Sequence, residues 1–507
     1  MTSRLPSFLV RADASPQIGT GHVMRCLALA QAAQDMRFAV HMMGRVNVPW
    51  VLEKLHSENI PFTRLEGAIP SEESSEYLIK LIQKSGFSPD WVVMDGYHFT
   101  LSCQKAVRAA GYKLLLIDDY NHLPEYSCDI LLNQNLGAEE FVYSGDIGTK
   151  LLGPKYALLR REFVKARKLA EQRHFSSKPK KLLLTLGGGD FSSHLRLIAS
   201  ALALPELTGC TLRVIQGGMR EEDIRHSLAK CPATIEILGR VDDMPALLLD
   251  TDLCITAGGS TCWELCALGV PFLALSIAKN QDTVVQGLLA QGIAPPFQQQ
   301  VFQKMLSERG YFNGFRQQLL EQVDGKGAEK VLFAAEPSCL IFCRASAEDS
   351  RAIFEIANDP SVRAVSFSKT EIEWTAHTQW YEKRIHRSAS EPFYVLKNAL
   401  DQTLIGYVRF DIQDGLVCIS IAISKQWRGG GIGKYLLECG CSRFVADQKN
   451  RHVYAWCLKK NIASLKMFLR NGFTLSSDSD EKQEFVLLRK DLYSNEQELC
   501  GKKMSVL

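Results

Sequence analysis

The sequence predicts an α/β chain: two consecutive doubly wound, Rossmann-like domains, then a third unit of different pattern. Three observations predict it. Short apolar runs are continuous rather than alternating, as in parallel strands buried on both faces. Each run stops at polar or glycine-rich residues, where sheets of this kind bind ligands. Helical spacing follows, as in Val23, Leu27 and Ala30 at i, i+4 and i+7. The length, 507 residues, suits about three domains of typical size.

Composition narrows the class. Hydrophobic residues make up 46% and charged residues 23%, which suits a globular chain with a sizeable core. The formal net charge of +3 implies no pull toward nucleic acid. The apolar run after Met1 is too short for a signal peptide, and the longest apolar stretch, around Val270 to Ala278, is far below a membrane span. The 15 cysteines include no C-x-x-C pair and no His cluster beside them. Scattered thiols of this kind suit a reducing cytoplasm, and no motif requires a metal.

The first domain covers residues 1–155. Phe8-Leu9-Val10 reads as a strand that feeds Ile18-Gly19-Thr20-Gly21-His22-Val23-Met24-Arg25. The glycines Gly19 and Gly21 let backbone approach a ligand, and the helix start beyond them offers unpaired N–H groups that suit a phosphate. His22 stands at that start. Two roles are open to it: a base near neutral pH beside a bound phosphoester, or a helix cap. Further strands end at Asp95-Gly96-Tyr97-His98, at Asp118-Asp119 and at Asn133-Gln134-Asn135. Asp118 and Asp119 either line a site or cap the following turn.

The second domain, residues 156–335, repeats the design. Lys181–Leu186 precedes Gly187-Gly188-Gly189-Asp190, and Leu212–Ile215 precedes Gly217-Gly218. Asp252–Thr256 precedes Ala257-Gly258-Gly259-Ser260-Thr261 and a helix carrying Glu264, and Val270–Leu275 precedes Asn280-Gln281. Glycine loops at several strand ends of two such domains point to a ligand between them. The pattern loosens from Gly325 to Pro337, which reads as a linker. The third unit, 339–495, centres on the strand Ile419–Ile423, then Gln426-Trp427-Arg428-Gly429-Gly430-Gly431-Ile432-Gly433 and a helix. Successive N–H groups at such a helix start can wrap a pyrophosphate. Arg428 adds a charge there or covers the surface.

The third unit resembles the GCN5-related N-acetyltransferases (GNAT), an α+β family. The resemblance rests on Arg428-x-x-Gly431-x-Gly433 between strand and helix, Asn461-Ile462-Ala463-Ser464, Phe468 and Asn471-Gly472-Phe473. It implies acetyl-CoA as co-substrate. Its pyrophosphate would lie on Arg428, Gly429, Gly430, Gly431, Ile432 and Gly433, its pantetheine arm along Ile421, Ala422 and Ile423, with Asn461 nearby. Phe468 stands where many members carry an acidic tyrosine. His377, Glu371 and Glu373 fall in the segment expected to frame the acceptor, although His377 and Trp380 fit packing equally well.

Residues 5–335 resemble the UDP-sugar hydrolases of pseudaminic acid biosynthesis, relatives of the two-domain glycosyltransferases of B type. The resemblance rests on Arg11-Ala12-Asp13, the Ile18–Arg25 stretch, Ile117-Asp118-Asp119, Asn133-Gln134-Asn135, Leu152-Gly153-x-x-Tyr156-Ala157-Leu158, Gly187-Gly188-x-Asp190, and Gly258 to Glu264 through Asn280-Gln281. It implies water attack at the anomeric carbon of a UDP-2,4-diacetamido sugar, with His22 catalytic and Asn280 at the sugar-phosphate end. Asp13 either holds the His22 tautomer or ends its strand. Gly19, Gly21, Arg25, Gly188, Gly259, Ser260, Thr261 and Gln281 would hold the UDP-sugar, with Glu264 on the ribose.

Together the two resemblances imply successive steps on one nucleotide sugar: N-acetylation of a UDP-4-amino sugar, then UDP release. The expected partners are small molecules (UDP-amino sugar, acetyl-CoA and water) and other enzymes of the pathway, with no nucleic acid and no membrane. The same folds would also serve a glycosyltransferase fused to a protein or small-molecule acetyltransferase, or a non-catalytic nucleotide-sugar sensor.

Overall fold

Three sheets account for the strands among the described residues, and the first sets up the catalytic candidates. Its strands are β1 (Ser7–Ala12), β2 (Ala39–Gly44), β3 (Phe62–Arg64), β4 (Trp91–Asp95), β5 (Lys113–Ile117), β6 (Tyr126–Asn133) and β7 (Gly145–Leu152). In this computed structural model they form one parallel sheet in the order β3-β2-β1-β4-β5-β6-β7. Described are residues 5–173, 178–308, 311–387, 391–399, 401–413, 415–428, 431–447, 452–476 and 484–492. The apolar runs read from the sequence lie in β1, β4, β5 and β6, whose middles are buried. The edge strand β7 is mostly exposed and therefore carries no apolar run. The helix Gly21–Asp35 buries Val23, Leu27 and Ala30 as its spacing requires. Burying a Val or Leu side chain contributes roughly 1.5–3 kcal/mol.

The second sheet is also parallel, with β8 (Lys181–Thr185), β9 (Thr211–Ile215), β10 (Thr234–Leu238), β11 (Leu253–Ala257) and β12 (Phe272–Leu275) in the order β10-β9-β8-β11-β12. Both sheets reverse direction of growth beside their first strand: β1/β4 in one, β8/β11 in the other. Such switch points leave a crevice outside the carboxyl ends of the strands.

The segment expected to be a linker is instead structured. Gly327–Ala335 forms a helix with Ala328, Val331, Leu332 and Phe333 buried, packed against the Gly21–Asp35 helix. A Cβ on Gly327 would fall 2.2 Å from the Ala157 carbonyl oxygen, so glycine permits the approach. The buried Lys330 is matched by Asp324 at 2.7 Å, which hides its charge from a pattern-based reading. The residues up to Ala335 form one compact unit and those from Glu336 a second.

The second unit holds β13 (Leu340–Arg344), β14 (Phe393–Asn398), β15 (Leu404–Gln413), β16 (Leu416–Ile423), β17 (His452–Leu458), β18 (Thr474–Leu475) and β19 (Phe485–Asp491), ordered β13-β14-β15-β16-β17-β19-β18. Neighbours are antiparallel except β16 and β17, which are parallel and in register only at Cys418 and Tyr454. Beyond that point β16 loses a partner on one side. Ile421, Ala422 and Ile423 are accordingly only half-buried, although their strand is central.

Candidate active sites

The switch point of the first sheet gathers a charged network. The helix Gly21–Asp35 begins directly after the turn that follows β1, and Gly19 takes φ +78°, a left-handed conformation that favours glycine. His22 sits in the first helical turn with its Nδ1 2.7 Å from Asp95 Oδ1 at the end of β4. Arg25, one turn on, donates from Nε and Nη2 to Asp95 at 2.6 and 2.7 Å and from Nη1 and Nη2 to Asp119 at 2.6 and 2.9 Å. Asn135 Nδ2 also donates to Asp119, at 3.0 Å.

Burial alone would push the Asp95 carboxyl up. The Arg25 guanidinium and His22 outweigh it and hold Asp95 well below the usual carboxylate range. Asp119 is lowered in the same way, with Arg25 again overcoming burial. An ionised carboxylate only accepts hydrogen bonds, so the His22 proton lies on Nδ1 and the Nε2 lone pair is the basic one.

Two sequence expectations change here. Asp13 does not orient His22. Ala12 is in register with Asp95, so Asp13, one residue on, faces the opposite side of the sheet. It accepts from Arg11 Nη2 at 2.9 Å and the Arg45 N–H at 2.6 Å, and meets His98 Nε2 at 3.1 Å. Burial opposes its charge, but these His98, Arg11 and Arg45 contacts hold its carboxyl low. Arg25, expected on the UDP-sugar, is buried and spends its fork on Asp95 and Asp119. The role left open for Asp118 and Asp119 divides: Asp119 joins the network, while Asp118 takes the Asn121 N–H at 2.7 Å.

Tyr97, not singled out from sequence, links this network to the second sheet. Its hydroxyl donates to Asp119 Oδ2 at 2.6 Å and accepts from Asn280 Nδ2 at 3.0 Å. Its ring meets the His22 ring edge-on at 5.1 Å. Asn280 lies in the short turn Lys279–Gln281 after β12, and Gln281 accepts the Ile277 N–H at 3.0 Å. The loops after β8 and β11 are open at Gly188 and Gly259, where an added Cβ would meet nothing within 4 Å. Gly258 is tight: its Cβ would fall 2.7 Å from Val285. Ser260 and Thr261 begin the short helix Thr261–Ala267. Glu264 on that helix pairs with Arg160 at 3.0 Å, and burial pushes its carboxyl up despite that partner.

In the second unit, the opening between β16 and β17 places Ile421–Ile423 on an unpaired strand edge, which fits an extended amide-bearing ligand. Gly431 takes φ +77° just before the helix Ile432–Asp447, and a Cβ on Gly433 would fall 3.0 Å from Met467 Sδ. Gly429 and Gly430 lie outside the described residues. Arg428, expected on the pyrophosphate, turns back: Nε donates to the Ile423 carbonyl at 2.8 Å and Nη1 to Ser361 Oγ at 2.5 Å. Asn461 caps the helix Ile462–Arg470 by accepting the Ser464 N–H at 3.2 Å. Phe468 is buried, with its ring centroid 4.9 Å from that of Phe473. His377 is buried among Phe354, Trp374 and Tyr381, its Nε2 3.0 Å from the Ser350 carbonyl oxygen. Burial lowers its imidazole, so packing explains it. No cluster of His, Cys, Asp and Glu fit for a metal occurs among the described residues, and no described helix is long and apolar enough to cross a membrane.

Comparison with known proteins follows this division. Residues 352–473 match the model of the acetyltransferase (GNAT) family. An uncharacterized protein of Methanocaldococcus jannaschii is 23% identical over 93% of this chain and 97% of its own length. The UDP-2,4-diacetamido-2,4,6-trideoxy-beta-L-altropyranose hydrolase of Campylobacter jejuni is 27% identical over 56% of this chain and 96% of its own length. Among solved structures, MurG of Acinetobacter baumannii aligns with a TM-score of 0.47 at 18% identity, covering 64% of this chain and 98% of that one. The chain thus joins in one polypeptide an N-terminal region that matches a sugar-nucleotide hydrolase and a C-terminal domain of the GNAT acetyltransferase family.

Proposed function

We propose that the chain is a bifunctional nucleotide-sugar enzyme of pseudaminic acid biosynthesis. Its C-terminal unit acetylates the 4-amino group of a UDP-4-amino-4,6-dideoxy sugar with acetyl-CoA. Its N-terminal unit hydrolyses the resulting UDP-2,4-diacetamido sugar at the anomeric carbon and releases UDP. A cytoplasmic location suits both substrates. The observation that carries the hydrolytic reading is the His22–Asp95 pair at the switch point of the first sheet, in a region similar to such a hydrolase.

His22 Nε2 takes a proton from a water molecule whose oxygen attacks the anomeric carbon. The carbon–oxygen bond to UDP breaks with its electrons passing to the diphosphate, and inversion follows from attack on the opposite face. N–H groups at glycine-loop helix starts favour the charge on the leaving group. One guanidinium set between Asp95 and Asp119 leaves the network net negative, which favours the imidazolium as it forms. His22 then returns its proton to solvent. Tyr97 and Asn280 would hold the sugar-phosphate end, and Glu264 the ribose once released from Arg160.

In the C-terminal unit the sugar amine, having lost a proton, attacks the thioester carbonyl. The carbon–sulfur bond breaks, and the CoA sulfur gains a proton. Gly431 and Gly433 would admit the pyrophosphate, and the free edge at Ile421–Ile423 the pantetheine amides. Mass spectrometry on UDP-4-amino sugar plus acetyl-CoA tests both halves. The expected sequence is gain of one acetyl group and then loss of UDP with water alone as acceptor. A requirement for a second sugar or protein acceptor would overturn the reading.

A further inference from the structure

Tyr97 stands between two imidazoles. The His22 ring lies edge-on at 5.1 Å and the His122 ring at 5.3 Å. Each imidazole is tied through Nδ1 to a buried carboxylate, His22 to Asp95 and His122 to Asp118. The proposed mechanism uses only the first pair.

The second pair is built with equal care. Asp118 follows β5 and is wholly buried. It accepts from the Asn121 N–H at 2.7 Å, the Tyr143 hydroxyl at 2.9 Å and the Tyr126 hydroxyl at 3.2 Å. Tyr143 is fixed in turn by Asn133 Nδ2 at 2.8 Å. Burial, with the Asp118 charge adding to it, raises both phenols and keeps them as donors. With Asp118 accepting from every side, the His122 proton lies on Nδ1. Its Nε2 is buried and has no hydrogen-bond partner among the described residues. The rings of Tyr97, Tyr120 and Tyr126 surround it. A phenylalanine would fill the same space without stranding a polar atom, so the imidazole calls for a role beyond packing.

We infer that His122, anchored by Asp118, is a positioning residue for hydrolysis: it fixes the Tyr97 ring, and through it the contacts of Tyr97 with His22, Asp119 and Asn280. The groups facing His122 are Asp118 and the three tyrosines. The inference rests on the hydrolase reading.

His122→Phe keeps the ring and removes the tether to Asp118; Asp118→Asn keeps the shape and frees the tautomer. Each is expected to lower kcat for UDP release roughly ten- to a hundredfold. KM for the UDP-sugar should stay within about twofold, and the pH profile of kcat should shift. UDP binding and acetyl transfer by the other unit report that the variant chain is folded; if one variant fails them, the other carries the test. A wild-type kcat and pH profile in the folded variant would overturn the inference. If wild-type enzyme releases no UDP, the hydrolase reading fails by itself. The positioning claim is then read from 15N NMR of the His22 ring: altered nitrogen shifts in His122→Phe support it, and an unchanged spectrum overturns it.

Discussion

Asp95 and His22 are 73 residues apart in sequence and 2.7 Å apart in space, joined Oδ1 to Nδ1 between the end of β4 and the first turn of the helix Gly21–Asp35. The bond fixes which imidazole nitrogen is basic. Two variants separate base from orienter. His22→Ala should lower kcat for UDP release by about 10²–10⁴-fold with UDP affinity retained. Asp95→Asn should lower it on the order of a hundredfold, because the amide can donate to Nδ1 and free the wrong tautomer. Steady-state UDP release and UDP titration calorimetry check both; normal turnover in His22→Ala would remove the base assignment.

Arg25 makes a different prediction, about stability. It is the shared partner of two buried carboxylates, so Arg25→Ala leaves both uncompensated and should cost about 3–5 kcal/mol. The sign with pH follows from linkage. Asp95, Asp119 and Asp13 all have lowered values in the folded chain. Their contribution is therefore present above the unfolded carboxylate value of about 3.9 and is lost as pH falls below it. Wild-type thermal stability should fall steeply below about pH 4. The deficit of Arg25→Ala should shrink there, since protonated carboxyls need no guanidinium. A deficit that stays constant from pH 7 to about pH 3.5 would contradict this account.

Much of the site was legible because it is local in sequence. The apolar runs, the glycines at their ends and the imidazole at a helix start lie within a few residues of one another. Partners brought together by the sheet were not legible. Asp13 is nearer His22 in sequence than Asp95 is, yet strand alternation turns Asp13 toward Arg11 and His98. Tyr97 reads as one aromatic in a turn until Asn280 arrives 183 residues later. Arg25 and Arg428 fit a ligand-binding motif by position, but their nearest acceptors are protein groups. In the acetyltransferase unit the strand Ile419–Ile423 was readable, whereas its free edge depends on where β17 diverges. The helix Gly327–Ala335 escaped because a buried lysine and small residues weaken its apolar pattern.

The Asn280–Tyr97 hydrogen bond joins elements of the two parallel sheets, and the same hydroxyl donates to Asp119. Burial and the adjacent Asp119 raise the Tyr97 phenol, so it remains a neutral donor through the working pH range. Tyr97→Phe removes both bonds while keeping the ring against His22. Its kcat for UDP release should fall roughly tenfold, with little change in the temperature of unfolding. Asn280→Ala should show the same direction. Acetyl transfer, measured on the same samples, should be unchanged in both. If Tyr97→Phe hydrolyses at the wild-type rate, the phenol hydroxyl plays no part in holding the sugar-phosphate end.

The acetyltransferase loop offers a prediction that distinguishes backbone strain from crowding. Gly431 has open space around it but φ +77°, a conformation that costs an L-residue roughly 1–2 kcal/mol. Gly433 has ordinary φ, but a Cβ there approaches Met467 Sδ at 3.0 Å, the end of a flexible side chain that can move. Gly431→Val should therefore distort the N–H groups that would face the pyrophosphate and raise KM for acetyl-CoA about tenfold, in line with that cost. Gly433→Ala should raise it less, because the thioether can yield. UDP release by the N-terminal unit should be normal in both variants, and a kcat for acetyl transfer near the wild-type value separates a local effect on the loop from loss of folding of the second unit. Equal, wild-type KM values in the two variants would mean that this loop does not bind the pyrophosphate.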